Sequence, residues 1–81
     1  MSTTALATIQ RIIAEALMIP VDSIRADDPI ANLKNIDSLS FAMIIVGIET
    51  ETGSKIDPVD LMPLQTVGDL TKLLEKLQQP Q

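Results

Sequence analysis

Apolar residues recur along this chain at helical intervals, and nowhere in the two-residue alternation that a half-buried strand needs. Leu6, Ile9, Ile12, Ile13, Ala16 and Leu17 share one face of a first helix, expected from about Thr4 to Leu17 with Thr4 as its N-cap. Pro20 stops that run, because the residue before a proline is pushed out of the α region. From Met18 to Asp37 the periodicity fails and turn formers gather: Pro20, Asp22, Ser23, Asp27, Asp28, Pro29, Asn32 and Asn35. So long a connection needs anchoring. Ile24, Ile30, Leu33 and Ile36 are the expected pins, with Asp28-Pro29 opening a short helical turn. A second helix is expected from Asp37-Ser38 to about Glu51, closed by Gly53. Ile56-Asp57-Pro58 starts a short helix, since Asp suits an N-cap and Pro the first helical position, and Pro63 limits its length. The last helix starts at Thr66, where Asp69 makes a weak capping-box variant, and buries Val67, Leu70, Leu73, Leu74 and Leu77. Gln78 to Gln81 reads as a frayed tail. The expected fold is all-α: a small antiparallel bundle of three main helices plus one short helix, with a long loop between helices 1 and 2. Residues 1–81 are expected to form a single domain with a folded core at about 4–77.

The inventory of side chains removes much chemistry. With no Cys and no His among 81 residues, a disulfide framework, a thiolate or imidazole zinc site, a Cys nucleophile and a His general base are excluded. No catalytic residue is expected, and no metal site of the chain's own: Asp27-Asp28 and Asp57 with Asp60 lack the central Gly and final Glu of a calcium loop. The formal net charge of -5 points away from nucleic acid and toward partners with basic surfaces. The longest apolar stretch, Phe41 to Ile48, falls far short of the roughly 20 residues a membrane span needs. The N-terminal residues lack a basic leader and a long apolar segment, so a cytoplasmic protein without membrane insertion is expected, and a monomer is expected with it.

The second helix has two apolar faces. Phe41, Ile44, Ile45 and Ile48 fall on one, and Leu39, Ala42, Met43 and Val46 on the other. A domain this small does not wrap such a helix fully, so one face is expected inside and the other at least partly exposed. The second face is either sandwiched by the remaining helices or a docking stripe for partner proteins.

Ser38 opens this helix. A nucleophile role fails for want of a His or a suitably placed Lys. A cap is one plausible role, and a phosphodiester seated at the positive end of the helix is another. Here Asn35-Ile36-Asp37-Ser38-Leu39 resembles the phosphopantetheine attachment site of acyl carrier proteins. Chain length, acidity and element order are similar too, as are the later landmarks Ile56-Asp57-Pro58 and Thr66-Val67-Gly68-Asp69-Leu70.

The resemblance implies that a phosphopantetheinyl transferase attaches 4'-phosphopantetheine, taken from coenzyme A, to the hydroxyl of Ser38. The terminal thiol of that arm would hold an acyl group as a thioester, loaded by an acyl- or aminoacyl-loading ligase and presented to downstream synthase or transferase enzymes. Asp37 matches the family aspartate that shares the magnesium ion of the transferase complex. Leu39, Ala42, Met43, Val46 and Glu49 are the expected partner-binding residues, and the core face of helix 2 would line a cavity that shelters cargo. An aminoacyl or peptidyl carrier is the alternative, and a non-covalent helical adaptor with Ser38 as a mere cap the second. The chain departs from the family at Asn35, where Gly is usual, and at Lys34, often apolar, with Leu33 one residue earlier. It departs again on helix 2, where Ser40 and Met43 stand in common acid positions and no acid occurs from Leu39 to Ile48. The apolar stripe implies a carrier for a dedicated pathway, with weak charge steering.

Overall fold

In the computed structural model, which describes residues 3–78, the chain forms helices α1 (Thr3–Leu17), α2 (Ser38–Thr52) and α3 (Val67–Gln78). Short 3₁₀ turns at Val21–Ser23, Ile30–Asn32 and Pro58–Leu61 lie between them. This is the expected all-α bundle, with differences at its joints. Thr4 lies within α1 rather than capping it, and its carbonyl accepts the Thr8 hydroxyl at 3.0 Å. The expected short helix is a 3₁₀ segment, with the Asp57 side chain accepting the Val59 amide at 3.0 Å. Gln78 closes α3, and the rest of the expected tail lies outside the described residues.

The apolar stripes meet as their spacing requires. Ile9 and Ile13 of α1, Ile44 and Ile48 of α2, and Val67, Leu70 and Leu74 of α3 are sealed from solvent. Burial of this kind is the main source of stability in a domain with so little interior. At the start of α3, Asp69 accepts the amides of Gln65 and Thr66 at 2.9 and 3.0 Å, while the Thr66 hydroxyl accepts the Asp69 amide at 3.2 Å. The Thr66 cap is therefore a full reciprocal box, not a weak variant, and it satisfies amides that the helix itself leaves unpaired.

Between α1 and α2 the long connection is pinned by Ile24, Ile30 and Leu33, all buried, and by half-buried Ile36. Lys34 is exposed, so Leu33 is the apolar anchor at this turn. Backbone bonds add a second attachment. The amides of Val67 and Gly68 donate to the carbonyls of Asp28 and Ala26 at 3.0 and 2.7 Å, and the Ile30 amide donates to Gln65 at 2.8 Å. An isolated antiparallel bridge joins Pro29 to Thr66. The loop that leads to Ser38 is thereby fixed to the opening of α3.

Candidate functional site

The tip of α2 is organised by Asp37 and Ser40. Asp37 is extended (φ -154°), and its Oδ1 accepts the Ser40 amide at 2.7 Å. In return the Ser40 hydroxyl accepts the Asp37 amide at 2.9 Å. The Ser40 proton is directed at the carbonyls of Asp37 and Asn35, 3.1 and 3.4 Å away. The Ser40 amide and hydroxyl, with a further contribution from the Leu39 amide, hold the Asp37 carboxyl below the usual carboxylate range. Sequence reasoning missed Ser40 as a buried partner of the cap. Its signal was present, since Asp37 and Ser40 have the N-cap to N3 spacing of a capping box.

Ser38 is the first residue of α2 and is exposed. Asp37 occupies the capping position, and the reciprocal box runs through Ser40. The reading of Ser38 as the helix cap is corrected by this geometry: the cap is completed by its neighbours, and the Ser38 hydroxyl is presented outward beside it. At the positive end of α2 the Asp37 carboxylate accepts the Ser40 amide. Asp37 retains further acceptor capacity, because a carboxylate has about four lone-pair sites.

Asn35 adopts the left-handed conformation (φ 69°) in place of the usual Gly, as its tolerance for that region allows. Beside Ser38 a groove of about 590 Å³ is walled by Ile30, Ile36, Phe41 and Leu64. Asp37, Ser38 and Gln65 also line it, so its walls mix apolar and polar side chains. Of the core face of helix 2, Phe41 lines this groove, whereas Ile44 and Ile48 are sealed in the packed interior.

On the opposite face, Leu39, Met43 and Val46 are 73, 51 and 58% exposed, and Ala42 is exposed beside them. The sandwich alternative for this face is ruled out for these residues. Glu49 stands apart: half-buried, its carboxylate accepts the Ile56 amide at 2.9 Å and so braces the connection after α2. Glu51 is held by Arg11 at 2.7 Å. Val59 and Met62, which sequence reading did not single out, are also exposed.

Together these features define a small helical bundle with an exposed serine at the head of α2. Comparison with known proteins gives the same class: the phosphopantetheine attachment site family matches residues 7–74. The chain is 33% identical over 73 residues to an acyl carrier protein of Kineococcus radiotolerans, covering 90% of each chain. It is 29% identical over 68 residues to that of Thermotoga maritima, covering 84% of each. It is 36% identical over 74 residues to a meromycolate extension acyl carrier protein of Mycobacterium tuberculosis, covering 91% of this chain and 64% of that relative. The chain belongs to the acyl carrier protein family.

Proposed function

We propose that residues 1–81 form a single monomeric, cytoplasmic carrier domain that bears 4'-phosphopantetheine on Ser38 and presents acyl intermediates to partner enzymes. The observation that carries this reading is the exposed Ser38 hydroxyl, relieved of capping by Asp37 and Ser40. In the loading step the Ser38 oxygen would form a phosphodiester as the pyrophosphate bond of coenzyme A breaks and adenosine 3',5'-bisphosphate leaves, while the serine proton passes to a base of the transferase. Asp37 would supply a ligand to the transferase's magnesium ion, which would offset the incoming charge. Once attached, the arm supplies a thiol that holds cargo as a thioester. The protein's own contribution is tethering, which raises the effective concentration of cargo at each partner site.

The relatives' names favour acyl over aminoacyl cargo. Leu39, Ala42, Met43 and Val46 form the docking face for the transferase, the loading ligase and downstream synthases, with Glu49 shaping its far end. Because that face carries no acid from Leu39 to Ile48, recognition is chiefly apolar, which suits a dedicated pathway.

Intact mass after incubation with coenzyme A and a broad-specificity phosphopantetheinyl transferase tests the reading. The expected product is one added phosphopantetheine, absent in Ser38→Ala. An unchanged mass in the parent chain would favour the non-covalent adaptor.

A further inference from the structure

We infer that Asn35 is a positioning residue that latches the Ser38-bearing tip of α2 to the end of α1. This inference rests on the carrier reading of Ser38. Leu17, the last residue of α1, is buried, and its carbonyl is among those that a helix leaves without an internal partner. The Asn35 side-chain amide donates to that carbonyl at 2.9 Å, across 18 residues of sequence. The bond is part-buried beneath an exposed Asn35, so its loss costs about a typical hydrogen bond rather than a full desolvation penalty.

Asn35 is engaged at its other end too. Its backbone carbonyl lies 3.4 Å from the Ser40 hydroxyl, within the cap that holds Asp37. One residue therefore joins the C-terminus of α1 to the N-terminal cap of α2, with Ser38 two residues from Ser40 on the same turn. Its left-handed backbone is what aims the side chain back at Leu17 while the chain proceeds into α2. A glycine in its place would keep the backbone conformation and lose the bond. The latch keeps the tip ordered before an enzyme arrives, which lowers the ordering cost of docking. Its effect belongs in KM for the carrier rather than in kcat.

The test uses the full chain as Asn35→Gly and Asn35→Asp. Both tolerate the left-handed backbone, and neither can donate to Leu17. Gln10→Ala is the control: Gln10 donates from α1 to the Ile24 carbonyl at 2.8 Å, a second side-chain bond to the same loop but distant from Ser38 in sequence. In both Asn35 variants the amides of residues 38–41 should exchange about fivefold faster, and KM with the transferase should rise about fivefold with kcat within about twofold. Gln10→Ala should leave both readouts at parent values even where it lowers the melting temperature. Faster exchange with unchanged KM overturns the positioning role, and so does an equal rise of KM in Gln10→Ala. Should one Asn35 variant fail to fold, the other decides the comparison. A parent chain that accepts no phosphopantetheine overturns the carrier reading itself, and the exchange rates then still show whether the latch exists.

Discussion

Gly47 of α2 faces Ile12 of α1 so closely that a Cβ at Gly47 would lie 2.8 Å from Ile12 Cγ2. The contact lets two helices approach backbone to side chain, and it explains a glycine in the middle of a helix where it costs propensity. Gly47→Ala gains about 1 kcal/mol of helix propensity but forces a β-branched, buried neighbour to move. Overpacking of this kind costs about 1–3 kcal/mol, so a net loss near ~1 kcal/mol is expected. Thermal unfolding should show a fall of roughly 4–8 °C. Ile12→Leu, which removes the branch at Cβ, should make the alanine nearly neutral; additive losses in the double mutant would exclude the steric cause.

The cap and the presented hydroxyl should separate by mutation. Ser40→Ala removes the acceptor for the Asp37 amide and costs about 1 kcal/mol of stability. Ser38→Ala changes an exposed side chain outside the cap and should stay within about 0.5 kcal/mol of the parent. Paired denaturation curves and mass spectra should therefore show Ser40→Ala unstable but loadable, and Ser38→Ala stable but unloadable.

Acid stability depends on two helix caps. Asp37 is held low chiefly by the Ser40 amide, and Asp69 by the amides of Thr66 and Gln65. For a carboxyl depressed in the folded state, its stabilisation is present above the unfolded value near 3.9 and is lost as pH falls through the folded value. No side chain in this sequence has an ordinary pKa between about 5 and 8, for want of His. Melting temperature should thus be nearly flat across that range and fall below about pH 4. Asp69→Asn should flatten the acid limb; an unchanged limb would remove Asp69 from the account.

Docking through Leu39, Met43 and Val46 should respond weakly to salt. Val46→Asp puts a charge on an exposed apolar position and should reduce kcat/KM with the transferase about tenfold, the size of a hot-spot contact, without lowering the melting temperature appreciably. Between about 50 and 300 mM salt, the parent's kcat/KM should change less than about threefold. A steep salt dependence would show that charges elsewhere on the surface steer the encounter.

The helical stripes, the Gly53 stop and the Asp57-Pro58 start were legible because each is a local pattern of spacing or capping. Gly53 indeed closes α2 in the left-handed conformation (φ 70°). Family membership was legible through the motif around Ser38, and the left-handed Asn35 through that residue's tolerance for a positive φ. The bonds from Ala26 and Asp28 to α3, the hold of Asn35 on Leu17 and the hold of Glu49 on Ile56 were not. Each joins a polar group to a partner fixed only by packing, and neither residue advertises the other.

Sequence by itself determined that the chain is helical, lacks imidazole and thiol chemistry, and offers a serine at the head of an apolar helix. Tertiary structure decided that Leu39, Met43 and Val46 face outward, that Asn35 reaches Leu17, and that Glu49 is engaged. The physical reason is range. Helix formation and capping act within a few residues, whereas exposure and hydrogen-bond partnership are settled only when distant segments compete for the same small interior.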